Sequence, residues 1–164
     1  MLSAIIGTLL VALPMTVLAD PLSKVLPGAE LRGEATFRYV GFNIYDARLF
    51  TIGAAPLNWS QDFALELTYR RKLSQYDLVE ATLREMNRMG KALPIRAKLE
   101  SCYQAVGRGD TYLAVTQGPD VITFWRNDRP ACTLRFAGIK ARFMSVFLGD
   151  NTQSPRFTRD LRGK

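Results

Sequence analysis

The strongest constraint on the fold is a strict alternation of apolar and polar side chains between Asp62 and Arg70. Successive side chains of a β-strand point to opposite faces of a sheet, so this period predicts a half-buried antiparallel strand. One face would hold Phe63, Leu65, Leu67 and Tyr69, and the other Ala64, Glu66, Thr68 and Arg70. The rest of the chain must therefore supply an apolar layer that covers the first face.

The segments that follow this strand predict such a layer. Ser74, with Asp77 three residues later, forms a capping-box pattern and predicts a helix that runs to Gly90. Helical spacing predicts that Val79, Leu83 and Met86 face the core and that Arg84, Glu85 and Arg88 face solvent. Further helices are predicted over residues 93–105 and 139–148.

Three more strands are predicted, over residues 110–116, 121–126 and 132–137, with a turn at Asn127-Asp128. Residues 22–33 are interpreted as an irregular lead-in, because Pro27-Gly28 interrupts them. Strands thus come first, then helices, then strands and a last helix. This grouping predicts an α+β fold with helices on one face of a mainly antiparallel sheet.

Residues 37–50 carry a different pattern, in which the apolar positions change phase twice. A regular strand cannot do this without exposing apolar groups, and Gly41 marks a place for a tight hairpin or a bulged bend. Around such a bend Arg38, Asn43 and Tyr45 could converge on a pocket. The alternative is that the bend serves only the curvature of the sheet.

The first 19 residues contain no charged side chain and end in Val17-Leu18-Ala19. This pattern predicts a secretory signal peptide, cleaved after Ala19, that exports one domain of residues 20–164 to the periplasm. The alternative is an uncleaved membrane anchor, which Pro14 and the shortness of the apolar run disfavour.

The net charge of the chain is +7, but its basic residues are scattered, and the longest run is Arg70-Arg71-Lys72. Such a distribution is typical of a solvated surface, although an anionic membrane surface stays open as a partner. Nucleic acid is excluded by the predicted export and by the lack of a groove pattern that combines aromatic and basic residues.

Two cysteines, Cys102 and Cys132, could form one disulfide in an oxidising compartment or remain as two buried thiols. The sequence contains no histidine and no paired-cysteine spacing, so no metal site is predicted. No cofactor is predicted either.

The chain resembles the bacterial, exported branch of the chalcone isomerase-like proteins in the order of its segments, RGEATFRYVGFNIYDARLF, DFALELTYRRKLS, GDTYLAV, TFWRND and FMSVFLGD. The resemblance covers residues 29–163 and is most specific in GF-x-I-Y-D-A and F-x-x-x-F-L-G-D. It implies an open-faced β-sandwich, in which helices cover one face of a curved antiparallel sheet and a ligand cleft lies between the two layers.

Enzymes of this family close a chalcone into a flavanone with an arginine, a threonine and a tyrosine-held water, whereas other members bind fatty acids through an arginine and a tyrosine. Alignment on Tyr45 places Val40 where the enzymes carry the threonine, and valine has no hydroxyl to polarise a ketone. Arg32 is the nearest candidate for the arginine and Arg38 the next. The resemblance therefore implies a member that does not cyclise chalcones.

The sequence predicts a non-catalytic binder of a small amphipathic acid, such as a fatty acid or an aromatic carboxylate. No catalytic residue is predicted, because the sequence contains no pair of carboxylates and no activated nucleophile at a spacing that indicates a catalytic site. Two alternatives stay open: an isomerase or intramolecular lyase that acts on another substrate, and a periplasmic protein that binds a partner or a membrane surface. The candidate ligand-binding residues are Arg32, Arg38, Asn43, Tyr45 and Arg70.

Overall fold

The computed structural model describes residues 20–164, and the predicted signal peptide lies outside the described residues. The strands are β1 (Ala29–Tyr39), β2 (Phe42–Ile52), β3 (Ala64–Tyr69), β4 (Thr111–Thr116), β5 (Val121–Arg126) and β6 (Arg129–Arg135). The helices are α1 (Pro21–Val25), α2 (Gln75–Arg88), α3 (Arg96–Cys102), α4 (Ile139–Leu148) and α5 (Pro155–Leu161).

The strands form one antiparallel sheet in which each strand is bonded to its neighbours in sequence, in the order β1-β2-β3-β4-β5-β6. Helices α2 to α5 cover one face, and the core lies between the two layers. The alternation in β3 is confirmed, since Leu65, Leu67 and Tyr69 are buried in that core. The predicted α+β class, an open sheet with helices on one face, is confirmed as well.

The opposite face of the sheet is not left entirely to solvent. Leu22 and Leu26, in and just after α1, pack there against Ala64, Leu113 and Val115. The prediction of an irregular lead-in was therefore wrong for α1, and it was also wrong for Ala29 onward, where β1 begins. None of the helices in residues 20–164 has the length and apolar character needed to cross a membrane.

Helix α2 begins as its sequence predicts. The Ser74 backbone N–H donates to Asp77 Oδ2 at 2.9 Å, and the Asp77 backbone N–H donates to Ser74 Oγ at 3.1 Å. Helix α3 is shorter than predicted, because Tyr103 adopts extended backbone angles and ends it at Cys102. Strand β6 covers residues 129–135 instead of 132–137, because it starts directly after the two-residue turn at Asn127-Asp128.

The two cysteines are joined in a disulfide, with their Cα atoms 5.1 Å apart. Cys102 ends α3 and Cys132 lies in β6, so the bond fastens this helix to the last strand of the sheet. Closing a loop with a sequence separation of 30 residues stabilises a domain by roughly 3.5 kcal/mol.

Both features suggested by the phase change in residues 37–50 are present. Tyr39 pairs with Phe42 across a tight turn made of Val40 and Gly41. The register between β1 and β2 then shifts, which leaves Ile44 as the extra residue of a β-bulge. The chain therefore combines a tight hairpin with a bulge.

Candidate functional site

A cavity of about 590 Å³ lies between the sheet and the helices α2 and α4. This volume falls within the range typical of small-molecule sites. Its floor is the helix-covered face of the sheet, and its roof is built mainly by α2 and α4. Apolar side chains supply most of the lining, namely Phe37, Ile44, Leu65, Leu67, Leu73, Leu78, Ala81, Ala114, Phe124, Phe143, Val146 and Phe147.

The bulge in β2 shapes the floor of this cavity. Because it adds one residue to the strand, Ile44 and Tyr45 both line the cavity instead of alternating between the two faces. The ring of Tyr45 stacks on Phe37 with a centroid distance of 5.1 Å and meets the edge of Phe157 at 6.0 Å. These contacts fix the direction in which Tyr45 points.

The sheet and the segment after α3 contribute four tyrosine hydroxyls to the cavity, from Tyr45, Tyr69, Tyr103 and Tyr112, and α2 contributes charged and polar side chains. Tyr103 and Tyr112 have protein partners: the Tyr103 hydroxyl lies 3.3 Å from Thr82 Oγ1, and the Tyr112 hydroxyl accepts from the Gln104 backbone N–H at 2.9 Å. Within residues 20–164 no hydrogen bond reaches the hydroxyls of Tyr45 and Tyr69. These two groups are free to bond a molecule inside the cavity.

Burial raises the pKa of Tyr45, and the neighbouring Tyr103 and Glu85 raise this pKa further. Burial also raises the pKa of Tyr69 well above its usual value. Both side chains therefore stay protonated at neutral pH and present O–H donors, which suits the recognition of an acceptor better than the removal of a proton.

The cavity also contains an acidic side chain that was predicted to face solvent. Glu85 is buried, because it lies about one helical turn beyond Thr82 and two turns beyond Leu78, which line the same wall. The Arg88 Nε atom donates to its carboxylate at 2.9 Å. The prediction was thus wrong for Glu85, whose charge is balanced by Arg88 at the end of α2.

The mouth of the cavity is rimmed by Tyr39, Tyr76, Glu80, Arg84 and Gln153. The Glu80 carboxylate is occupied by a short hydrogen bond from Arg96. By contrast, Arg84 has no carboxylate partner in the part of the chain that the structure describes. Arg84 is an exposed cation at the entrance. Arg96 lowers the pKa of the Glu80 carboxyl, and Arg84 lies near enough to add to this lowering.

The structure places the predicted site residues in different environments. Tyr45 lines the cavity, as described above. Arg70 lies on the other face of the sheet, where its Nε donates to Asp46 Oδ2 at 2.5 Å. Arg38 and Asn43 are exposed cross-strand neighbours in the β1–β2 hairpin and do not line the cavity.

Arg32 is the extra residue of a second irregularity in the β1–β2 pairing. Its guanidinium donates to the backbone carbonyls of Arg162 at 3.1 Å and Gly163 at 3.0 Å, so it anchors the C-terminus of the chain. Val40, which aligns with the threonine of the enzymes, is 76% exposed in the hairpin turn and contributes nothing to the cavity lining.

Sequence reasoning missed Arg84 as a functional candidate. Helical spacing correctly places its side chain in solvent, and nothing in the sequence shows that the cavity opens at that point. Residues 20–164 contain no group of three or more side chains that could together hold a metal ion.

A meander sheet with one helix-covered face and an apolar cavity between the layers defines an open-faced β-sandwich of the chalcone isomerase-like type. The crystal structure of a fatty-acid binding protein from Arabidopsis thaliana has the same fold, with a TM-score of 0.63. The match covers 84% of this chain and 88% of that chain at 10% sequence identity, so it shows the fold alone. Family models and curated protein sequences yield no match to the chain.

Proposed function

We propose that the protein is a non-catalytic binder of a small amphipathic acid, such as a fatty acid or an aromatic carboxylate. The observation that carries this proposal is the apolar cavity of about 590 Å³ with two tyrosine hydroxyls that no protein group engages. The apolar body of the ligand would occupy the cavity, and its carboxylate would lie at the mouth beside Arg84.

The apolar walls supply the driving force for binding, because each buried methylene contributes about 0.8 kcal/mol. The exposed guanidinium of Arg84, which forms no salt bridge within residues 20–164, offers the carboxylate a charge-assisted hydrogen bond. An acid bound in the reverse direction would bring its carboxylate close to Glu85, which is unfavourable despite the balancing charge of Arg88. Within this lining, the mouth beside Arg84, where Glu80 is already paired with Arg96, is a more favourable place for a carboxylate than the interior beside Glu85.

The fold adds independent support, because the Arabidopsis neighbour is described as a fatty-acid binding protein. The state of the ionisable groups supports binding without catalysis. The carboxylates of Asp77, Glu80 and Glu85 are each engaged by a neighbouring side chain, and Tyr45 and Tyr69 hold their protons tightly. The proposed place of action is the periplasm, which depends on the predicted signal peptide.

Calorimetric titration with a panel of fatty acids and aromatic carboxylates tests the proposal. We expect one molecule to bind per chain and the Arg84→Ala variant to bind it roughly tenfold more weakly, because a charge-assisted hydrogen bond is lost. Arg38→Ala and Arg70→Ala are matched controls, since both remove an exposed arginine away from the cavity. Tyr45→Phe should weaken binding less than Arg84→Ala if the carboxylate lies at the mouth.

Each acid is titrated beside its methyl ester, which keeps the apolar body but removes the charge. Equal affinity for the acid and its ester would contradict a carboxylate-binding site. It would still be consistent with a protein that binds the apolar body of the ligand. If binding is lost in Arg38→Ala or Arg70→Ala and retained in Arg84→Ala, the carboxylate-binding site lies outside the cavity. Absence of binding to the whole panel would refute the proposed function.

A further inference from the structure

The tip of the β1–β2 hairpin, residues 39–42, exposes apolar side chains that a folded domain normally buries. Tyr39 is 56% exposed, Val40 76% and Phe42 58%. The other large exposed apolar side chains of the β1–β2 hairpin, Leu31 and Ile52, lie towards its opposite end. Exposed apolar groups that cluster in this way mark interaction sites, whereas single ones need no explanation.

The turn between β1 and β2 has a valine at a position where its backbone angles are unfavourable. Val40 has a φ of 47° and Gly41 a φ of 80°, so both central residues adopt left-handed backbone angles. Two-residue turns of this kind favour asparagine, aspartate or glycine, and a β-branched residue there is strained. Because the Val40 side chain lies mostly in solvent, packing within the fold does not compensate for this strain.

Basic side chains surround the hairpin tip. The guanidinium of Arg71 lies 4.4 Å from the centre of the Phe42 ring. Lys72, which follows Arg71 in the chain, and Arg38, which precedes Tyr39, are both exposed. The nearby carboxylates are already engaged, that of Asp46 by Arg70 and Thr36 and that of Asp77 by Ser74. Arg38, Arg71 and Lys72 have no carboxylate partner among residues 20–164.

We propose that the hairpin tip docks the protein onto an anionic lipid bilayer. Apolar and aromatic side chains with arginine and lysine around them match the boundary between hydrocarbon and anionic headgroups. Each basic side chain near such a surface adds an attraction that falls off within a Debye length.

The position of the cavity mouth favours a bilayer over a protein partner. Tyr39 belongs both to the hairpin tip and to the rim of the mouth, and Tyr76 on that rim is 70% exposed. Docking at the tip would therefore place the entrance of an apolar cavity against hydrocarbon. The docking itself does not require that the cavity bind an acid, so it can be tested separately from the proposed function.

Sedimentation with lipid vesicles tests the proposal, with the protein as recovered after export and its N-terminus verified by mass spectrometry. We expect binding to vesicles of phosphatidylcholine and phosphatidylglycerol, and much weaker binding to phosphatidylcholine alone or at high salt. Val40→Asn combined with Phe42→Ser should weaken binding roughly tenfold, since two apolar side chains no longer enter the interface. Arg71→Glu should weaken it by roughly fivefold or more.

Matched variants lie at the opposite end of the sheet. Ile52→Ser removes an apolar side chain that is 43% exposed, and Arg135→Glu reverses an exposed charge. We expect both to bind vesicles as the unmodified protein does. Asparagine suits the backbone angles of residue 40, and Phe42 is mostly exposed, so we expect the double variant to fold, which its urea denaturation curve checks.

Three results would overturn the proposal. The first is no binding to anionic vesicles at low salt. The second is binding that the control variants weaken as much as the hairpin variants. The third is self-association that depends on Val40 and Phe42 without vesicle binding, detected by analytical ultracentrifugation, which would assign the tip to a second copy of the chain.

Discussion

The two tight hairpin turns of the sheet both have positive φ at their two central residues, but they carry opposite side-chain chemistry. Val40-Gly41 joins β1 to β2, and Asn127-Asp128 joins β5 to β6. All of these residues have positive φ, 47° and 80° in the first turn and 48° and 64° in the second. Asparagine and aspartate tolerate such angles, whereas valine does not.

The second turn is also bonded into the structure around it. The Asn127 Oδ1 atom accepts from the Thr111 backbone N–H at 2.8 Å, and its Nδ2 donates to Asp110 Oδ1 at 2.9 Å. The first turn has no comparable side-chain bonds within residues 20–164, and its valine is exposed. The side chains of the β5–β6 turn therefore stabilise the fold, whereas the strain at Val40 has no such compensation within the described residues, as the proposed docking role would require.

The largest change in the free energy of unfolding is expected when valine, the residue of the β1–β2 turn, is placed in the β5–β6 turn. Asn127→Val should lower the free energy of unfolding by about 2–3 kcal/mol, because it adds left-handed strain and removes two hydrogen bonds. Urea denaturation measures the change. A loss no greater than that of a surface substitution such as Arg135→Glu would mean that the two turns do not differ in this way.

An intermediate change in the free energy of unfolding is expected at Asp110, whose carboxylate accepts a hydrogen bond from Asn127 of the β5–β6 turn. The Gly107 backbone N–H lowers the pKa of this carboxyl most, and Asn127 and Arg126 lower it further. Its charged form therefore stabilises the fold above the unfolded pKa of about 3.9, and this contribution is lost as pH falls through the lower folded pKa.

Asp110→Asn should consequently cost roughly 1–2 kcal/mol at neutral pH. Below pH about 4 the variant and the unmodified protein should approach each other in stability. Unfolding curves recorded from neutral to acidic pH measure this convergence. A constant difference across the series would show that the charge of Asp110 does not contribute.

The smallest change in the free energy of unfolding is expected when asparagine, the residue of the β5–β6 turn, is placed in the β1–β2 turn. Val40→Asn should raise the free energy of unfolding by about 1 kcal/mol, because asparagine adopts the left-handed angles more readily. The same urea assay measures it, and Ile52→Ser serves as the control for loss of an exposed apolar side chain. A destabilised Val40→Asn variant would show that the valine contributes to folding and would weaken the functional interpretation of the turn.

The sequence predicts the local elements of this fold well, because their signals lie within a few neighbouring residues. The alternation in β3 and the cap of α2 at Ser74 are examples. The short helices α1 and α5, of 5 and 7 residues, were missed, since they contain too few turns to show a helical period. The disulfide stayed open because a sequence does not reveal the distance between two Cα atoms.

The candidate site was harder to predict, because it depends on contacts between distant segments. The phase change near Gly41 fits either a hairpin or a bulge, and only the register with β1 shows that Ile44 and Tyr45 both face the cavity. Arg84 and Glu85 are adjacent on one helix, yet one lies at the mouth and the other inside. Such a difference follows from the orientation of α2 over the sheet.

The strand order divides the sheet into two halves that are separated along the chain. β1 to β3 and β4 to β6 each form a local unit, and the long segment that contains α2 and α3 separates β3 from β4. The cavity floor takes Tyr45 and Leu67 from the first unit and Tyr112 and Phe124 from the second. A molecule in the cavity would therefore contact both units. Its binding would make separation of the two units between β3 and β4 less favourable.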